Sequence, residues 1–491
     1  MSRNDDKTGH SPGDYYSWAD GAEAYQRFIR NAFGIENATR LHEDPPPLPG
    51  LDPLPSELEL QSRWYRGEFG EQFLTTCGKH VRIRQFGHWN RGAGPDFPDA
   101  AIEIDTPGEA PNIRSGPIEL DPDARDWENH GHGSNPNFDG VILHVFFSQP
   151  ESTRFYTRTS DHREVPQVLL SPEVEDTGGS RNFLLQYAEA KIGRCATPLA
   201  AMPADQVNSL LEAAAQMRLR IKAQRFARIA RLHSPSQALY EGLAEALGYA
   251  PNQLPMRILA QRLPLSELRR LDPDLAEALL FGHAGFLDAA EFETYSIPTK
   301  GYLRGLWDGW WRYRDSGEQQ MELPPFTLSG FRPGNHPQRR LGALAAIAAN
   351  WPKIDAASRE GPKKFARALG KLEHSFWSGT FTLKSDPADR PIALIGASRI
   401  SEILANVLFP ILVPDRPETW SDYTAQASGQ TNSKLKRAAI RLLGERSDAA
   451  SFQRRAFQQQ GLLQIYQDFC LVDDSGCDEC PFPEQLRDWK K

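Results

Sequence analysis

The spacing of apolar positions along the 491 residues changes once. From about 56 to 171 short stretches alternate with period two or run continuously apolar between turn-forming clusters. Beyond about 205 the spacing is helical. SELELQSRWYR (56–66) reads as a helix, with Ser56 as N-cap and Glu57 and Glu59 in the first turn. HVRIRQFG (80–87) and DAAIEIDT (99–106) alternate as strands, and GPIELD (116–121) predicts a short third one. A loop rich in Gly, Asn and His (129–140) leads to VILHVFFS (141–148), whose unbroken apolar run predicts a strand buried on both faces. PQVLLS (166–171) predicts another. Helices are expected over 21–35, 205–232, 236–249, 254–263, 274–287, 301–316, 339–350 and 400–412, with no fixed-period repeat. The fold class is therefore α/β (α+β), a sheet-bearing core followed by a mostly α-helical domain. The expected divisions are a disordered, Pro-rich lead (1–54), the sheet-bearing domain (55–195), the helical domain (205–465) and a Cys-containing tail (466–491). DPPPLPGLDPLP (44–55) carries too much proline for helix or central strand and reads as an extended linker.

Composition narrows the class. At 40% hydrophobic and 24% charged the chain has the make-up of a soluble globular protein. No segment approaches the ~18 consecutive apolar residues of a membrane span, and the start has no secretory apolar core. Five cysteines are too few for a disulfide scaffold, so the expected compartment is the cytoplasm. A net charge of -8 excludes a uniformly basic nucleic-acid coat, but the charge is uneven. Residues 41–150 hold 18 acidic against 8 basic side chains. In 210–240 Arg218, Arg220, Lys222, Arg225, Arg228 and Arg231 face only Glu212. That stripe could track phosphates, but pairing with acidic neighbours or plain solvation is favoured.

Three groups of residues carry candidate chemistry. In GHWNRGAGPDFPDAAIEI, Asp96 stands just before a strand, and Glu119 lies inside the next. Two carboxylates meeting at one sheet edge repel, and a hard divalent cation, Mg²⁺ or Mn²⁺, relieves the repulsion while activating water. Glu57 or Glu59 on the preceding helix would add a further acid. The alternative is turn chemistry at Pro95-Asp96 and a solvated Glu119. In DWENHGHG…VILHVFF, Asp126, His130, His132 and His144 fall within 19 residues, a spacing suited to metal ligation or to acid–base work beside the carboxylates. His144, inside an apolar strand, reads rather as a hydrogen-bonded core residue. Finally, Cys470-x6-Cys477-x2-Cys480 with Cys195 makes a possible four-thiol site for Zn²⁺ or an iron–sulfur cluster, the alternative being reduced, buried thiols. Cys77 reads as a turn residue. The segment GFRPGNHPQRRL offers Arg332, His336, Arg339 and Arg340 either to an anion or to the cap of the helix that follows, and Trp307, Trp310 and Trp311 read as core.

The Pro95-Asp96, 22-residue, Glu119-x-Asp121 spacing resembles the PD-(D/E)xK nuclease superfamily. The resemblance implies a restriction-endonuclease-like core of a helix, three strands, a helix and a fourth strand. It also implies that Asp96 and Glu119 hold the metal, with a lysine two residues after the glutamate working on water. Here that position is Asp121. A longer resemblance, over roughly 55–485, is to the bacterial family catalogued as domain of unknown function 2851. It rests on GHWNRGAGPDF, GPIELD, DWENHGH, VILHVFF, EALLFGHAGFL, GFRPGNHPQRRLGALA, LIGASRISEILANVLFPIL and FCLVDDSGCDEC. That family is similar to remote PD-(D/E)xK proteins, and its residue two after the glutamate is usually His, so Asp121 departs from both patterns. Some nucleases of the superfamily also resemble the cysteine plan, one early and three late around an iron–sulfur cluster. The function these resemblances imply is a divalent-metal-dependent nuclease-like protein acting on DNA or RNA. Asp96, Glu119 and Glu57 would serve the metal, and His130 or His132 would take the lysine's place. The alternatives are a catalytically degenerate scaffold binding nucleic acid or protein, and a His/Asp metallohydrolase. Oligomeric state is not fixed by the sequence.

Overall fold

The period-two segments pair in chain order. The computed structural model describes residues 18–33, 55–105, 112–149, 155–170, 191–287, 289–314, 321–429, 431–444, 446–471 and 477–489. Whereas 18–33 of the expected disordered lead form a helix with Tyr25 and Phe28 buried, residues 1–17 and 34–54, which include the Pro-rich linker except Pro55, lie outside the described residues. So do the ends of two predicted strands, Thr106 and Ser171. Contacts divide the chain into two units, each assembled from separated segments. One comprises Met1–Glu43, Gln186–Ile221 and Leu412–Lys491, the other Asp44–Leu185 and Lys222–Ile411.

The larger unit carries a six-stranded sheet in the order β1 (Gln72–Leu74), β2 (His80–Gln85), β3 (Phe97–Asp105), β4 (Asn112–Asp123), β5 (Leu143–Ser148), β6 (Gln167–Leu169). Pairings are antiparallel from β1 to β4 and parallel from β4 to β6. The switch follows from the chain between β4 and β5: parallel strands need a crossover, here α3 (Asp126–Asn129) and two 3₁₀ turns. β1 is too short to show an alternation and was not expected; β4 is twice the length of GPIELD. Before the sheet, α2 (Glu57–Tyr65) starts as its sequence predicts, Ser56 Oγ accepting the Glu59 N–H.

Alternation decides what each face buries. Ile118 and Leu120 of β4 enter a core with Leu60 and Trp64 of α2, Ile83, Ile102 and Leu143, closed by Ile258 of the helix Pro235–Arg262. Each such side chain contributes about 1.5–3 kcal/mol when fully buried. Glu119 and Asp121 consequently point the other way, toward the crossover, where Trp127, Phe138, Val141 and Val165 form a second small core. β5 is buried on both faces, as its apolar run predicts.

Two predicted helices merge into Pro235–Arg262 across a kink at Tyr249 (φ 54°). The basic stripe is largely paired. Arg225 reaches Glu245 at 3.3 Å, Arg231 pairs with Glu71, and Lys222 donates to Asn406 Oδ1. Arg339 and Arg340 are buried rather than displayed on a loop. They donate to the carbonyls of Thr380 (2.6 Å), Ala393 (3.0 Å) and Leu394 (2.8 Å), among others, and so hold the 377–394 segment in place. Trp310 is core; Trp311 is exposed.

The smaller unit packs α1 (Trp18–Phe33), the first part of the helix Ala204–Leu232, and the helices Ser433–Leu443 and Ala456–Ile465 around Tyr25, Phe28, Leu210, Leu462 and Phe469. Arg218 donates to Gln460 Oε1 at 2.9 Å within it. Among the described residues no helix is long and apolar enough to cross a membrane.

Candidate metal centre

The loop between β2 and β3 fixes the first acid. Gly87 turns the chain with φ +82°, where a Cβ would stand 2.2 Å from the Pro98 carbonyl oxygen, so only glycine fits. Asn90 then organises the loop from within. Its N–H donates to the Asp96 carbonyl (2.8 Å), its Nδ2 to the Pro95 carbonyl (3.1 Å), and its Oδ1 accepts the Gly92 N–H (3.1 Å). Asp96 is thereby delivered to the head of β3 beside β4. Two reciprocal bonds lock it there. Glu119 Oε2 accepts the Asp96 N–H at 2.9 Å, and Asp96 Oδ2 accepts the Leu120 N–H at 3.1 Å.

Asp121, on the same face of β4 as Glu119, is the hub of the histidines. His130 Nδ1 stands 3.4 Å from Asp121 Oδ1, and His132 Nδ1 is 3.4 Å from Glu119 Oε1 and 3.9 Å from Asp121 Oδ2. His144 Nε2 lies 3.1 Å from Asp121 Oδ2. Behind it Thr157 Oγ1 lies 2.6 Å from His144 Nδ1 and itself accepts from Gln167 Nε2 at 2.8 Å. His144 thus has a hydrogen-bond partner on each ring nitrogen, Thr157 on one side and Asp121 on the other, which fixes the orientation of the Asp121 carboxylate. Asp121, Glu119 and His132 are buried, His144 fully; His130 is exposed. His132 stacks on Phe138 with centroids 4.0 Å apart, and its Nδ1 is buried with no hydrogen-bond partner. An orphaned imidazole nitrogen aimed into a group of carboxylates is a ligand position in waiting.

Electrostatics agree. Burial, then Glu57 and Asp121, raise the Asp96 carboxyl well above its ordinary range. Burial, then Asp96 and Asp121, do the same to Glu119. Glu57, whose Oε1 accepts from Gln61 Nε2 at 2.9 Å, is also raised, first by burial and then by Asp121. Burial lowers His132, so its ring is neutral and available as a ligand. The crowded carboxyls of Asp96, Glu119 and Glu57, which resist ionisation, and the neutral His132 ring beside them form a set that a cation would satisfy. Among the described residues, Asp121, His130 and His132 offer ligand atoms within 4.8 Å of one another.

The structure therefore brings Asp96, Glu119, Glu57, His130 and His132 into one neighbourhood. Sequence reasoning missed Asp121 as a candidate ligand, having weighed it only against the lysine it replaces; the signal was its place on the same strand face as Glu119. Asp126 does not join the site. Its carboxylate accepts the Asp123 N–H and Asn129 Nδ2 at the start of α3. His144 is the buried, hydrogen-bonded strand histidine expected. Cys195, Cys470, Cys477 and Cys480 all belong to the smaller unit, and Cys77 is exposed in the β1–β2 turn, 3.3 Å from Thr75 Oγ1. A family model described as "Protein of unknown function (DUF2851)" matches residues 57–436, which include every residue of the acidic and histidine group. No curated protein and no solved structure matches the chain.

Proposed function

The chain belongs to the DUF2851 family, and we propose that this member is a divalent-metal-dependent, nuclease-like phosphodiester hydrolase acting on DNA or RNA. The observation that carries the proposal is the convergence of Asp96, Glu119 and Asp121 with the neutral, unpartnered Nδ1 of His132. The arrangement of α2 with Glu57, antiparallel β2 to β4, a short crossover and parallel β5 supports a restriction-endonuclease-like reading of the core. Asp96 and Glu119 alone would suit Mg²⁺ or Mn²⁺. With Asp121 and the His132 imidazole added, the site leans toward Mn²⁺, because Mg²⁺ prefers an all-oxygen shell.

In this reading Asp96, Glu119, Asp121 and His132 would hold the metal, which when bound would supply Lewis acidity toward a phosphoryl oxygen and a water of lowered pKa. Asp121 replaces the lysine as an anionic ligand rather than as a water-activating group. The exposed His130 receives or returns the proton at the solvent side. Arg262, close enough to Asp96 to feel its charge, lines a cavity of about 630 Å³ with Trp89, Arg91, Gln261 and Glu267, whose lining does not include the acids themselves.

The test is cleavage of single- and double-stranded DNA and RNA by purified protein with Mn²⁺, with Mg²⁺ and with chelator. Mn²⁺-dependent cleavage that Asp96→Asn and Glu119→Gln each abolish is the expected result. Metal-independent cleavage, or full activity in either variant, overturns it. The tight Asp121, His130, His132 group favours a second reading, a His/Asp metallohydrolase with a small substrate. Turnover of a small phosphodiester without any nucleic-acid cleavage would select that reading. Metal binding with no turnover would select a degenerate scaffold.

A further inference from the structure

The smaller unit gathers four thiols from chain segments far apart in sequence. The turn Gly193–Ala196 is docked on the end of the helix Ser433–Leu443. Gly193 N–H donates to the Arg441 carbonyl at 2.9 Å, and Cys195 Sγ lies 3.7 Å from the same oxygen. A methyl group on Gly193 would stand 3.3 Å from Cys195 Sγ and 3.6 Å from Cys477 Sγ, so both sulfurs crowd the same side of that glycine. Arg441 Nη2 donates to Cys477 Sγ at 2.7 Å, and Arg194 Nη1 donates to the Cys477 carbonyl at 2.9 Å. Cys470 and Cys480 complete the group, since each lies within electrostatic range of Cys195. Cys195, Cys477 and Cys480 are buried, and Cys195 and Cys480 are part of the core that contains Phe28, Phe469 and Phe482.

Two features point to a ligand rather than to four idle thiols. Cys477 holds φ at +100°, a left-handed conformation that costs a non-glycine residue free energy and persists only where its surroundings enforce it. Here two arginines enforce it, one on its carbonyl and one on its sulfur, and the conformation serves to aim the sulfur inward. The guanidinium of Arg441 also gives Cys477 Sγ a fixed polar partner at 2.7 Å, which holds the sulfur on the side of Gly193 where Cys195 Sγ lies.

We propose that Cys195, Cys470, Cys477 and Cys480 form a four-thiolate metal centre that holds an iron–sulfur cluster. The spread of the sulfurs favours the cluster over a single ion. Zinc draws four thiolates onto one atom at about 2.3 Å. A cubane gives each thiolate its own iron and keeps the sulfurs further apart. Among the described residues, the groups with ligand atoms within 4.8 Å of one another do not include three of these thiols. The centre would join the 193–196 turn to the C-terminal segment, tying down a long intervening stretch of chain. It is independent of the acidic and histidine site in the larger unit.

The experiment is anaerobic purification of the full-length protein, followed by iron, acid-labile sulfide and zinc analysis and an absorption spectrum. The expected result is iron and sulfide in equal amounts with a broad band at roughly 400 nm. Cys195→Ser and Cys480→Ser should each lose the band, while Cys77→Ser keeps it; circular dichroism would show that the variants retain helix. Stoichiometric zinc in place of iron overturns the cluster. Absence of both metals, with all four thiols titrating freely in the folded protein, overturns the centre.

Discussion

Glu119→Gln separates the cost of the acidic group from its use. Glu119 Oε2 accepts the Asp96 N–H, and its Oε1 faces the unpartnered His132 Nδ1 at 3.4 Å. A glutamine keeps an oxygen for Asp96 and turns its amide N–H toward His132. The new hydrogen bond is worth about 1 kcal/mol. The lost charge relieves repulsion that reaches about 4 kcal/mol for unit charges at ~4 Å and an effective dielectric near 20. Protonation of the crowded carboxyls already caps that cost, so the variant should be about 1–3 kcal/mol more stable than wild type in chelator. Because burial, then Asp96 and Asp121, raise the Glu119 pKa, the folded protein holds that proton more tightly than the unfolded chain. Stability of the metal-free wild type therefore falls as pH rises from the ordinary glutamate pKa through the folded one, and the advantage of the variant widens with pH. The assay is urea unfolding followed by the fluorescence of the buried Trp64, Trp89 and Trp127. Mn²⁺ at 100 times its dissociation constant should stabilise wild type by about 2.7 kcal/mol and the variant far less. A variant that is less stable in chelator, or that gains as much from Mn²⁺ as wild type, refutes the reasoning.

Thr157→Val removes the hydroxyl that fixes the His144 ring while keeping its volume. Mn²⁺ affinity measured by calorimetry should fall about 10- to 100-fold, the usual cost of losing such support behind a ligand. Unchanged affinity would show that His144 does not position Asp121. Glu245 is buried, which alone would raise its carboxyl, but Arg225, Arg66 and Arg257 pull it well below the ordinary value. Glu245→Gln leaves those cations undercompensated and should cost about 3–5 kcal/mol at pH 7 in chemical denaturation. This contribution is present above the unfolded glutamate pKa and is lost as pH falls through the folded one, so the deficit should shrink only in strong acid.

The sheet was largely legible because its strands alternate cleanly or are unbrokenly apolar, patterns that local sequence carries. β1, with three residues, has no room for a pattern. The extension of β4 through Asn112–Arg114 is held by pairing with Ile102–Ile104, a tertiary cause no window of sequence displays. The same contrast runs through the site. Asp96, Glu119 and the two crossover histidines were visible as chemistry-bearing types at telling spacings. Asp121 was read as a missing lysine, and only its convergence with His130, His132 and His144 gives it a positive role. The arginines of GFRPGNHPQRRL read either as an anion loop or as a helix cap because sequence shows charge without showing burial; in the fold Arg339 and Arg340 satisfy backbone carbonyls. The division into units was the least legible, since one unit draws on three separated segments and one long helix serves both.

The central claim is that the crossover histidines and the β4 acids form one metal centre. Titration of metal-free protein with Mn²⁺, followed by electron paramagnetic resonance with detection of nitrogen coupling, tests it most directly. The account predicts stoichiometric binding with imidazole nitrogen coupled to the bound ion, the coupling being diminished in His132→Phe and the binding lost in Asp121→Ala. Failure to bind Mn²⁺, or a bound ion without nitrogen coupling and indifferent to both substitutions, would contradict it.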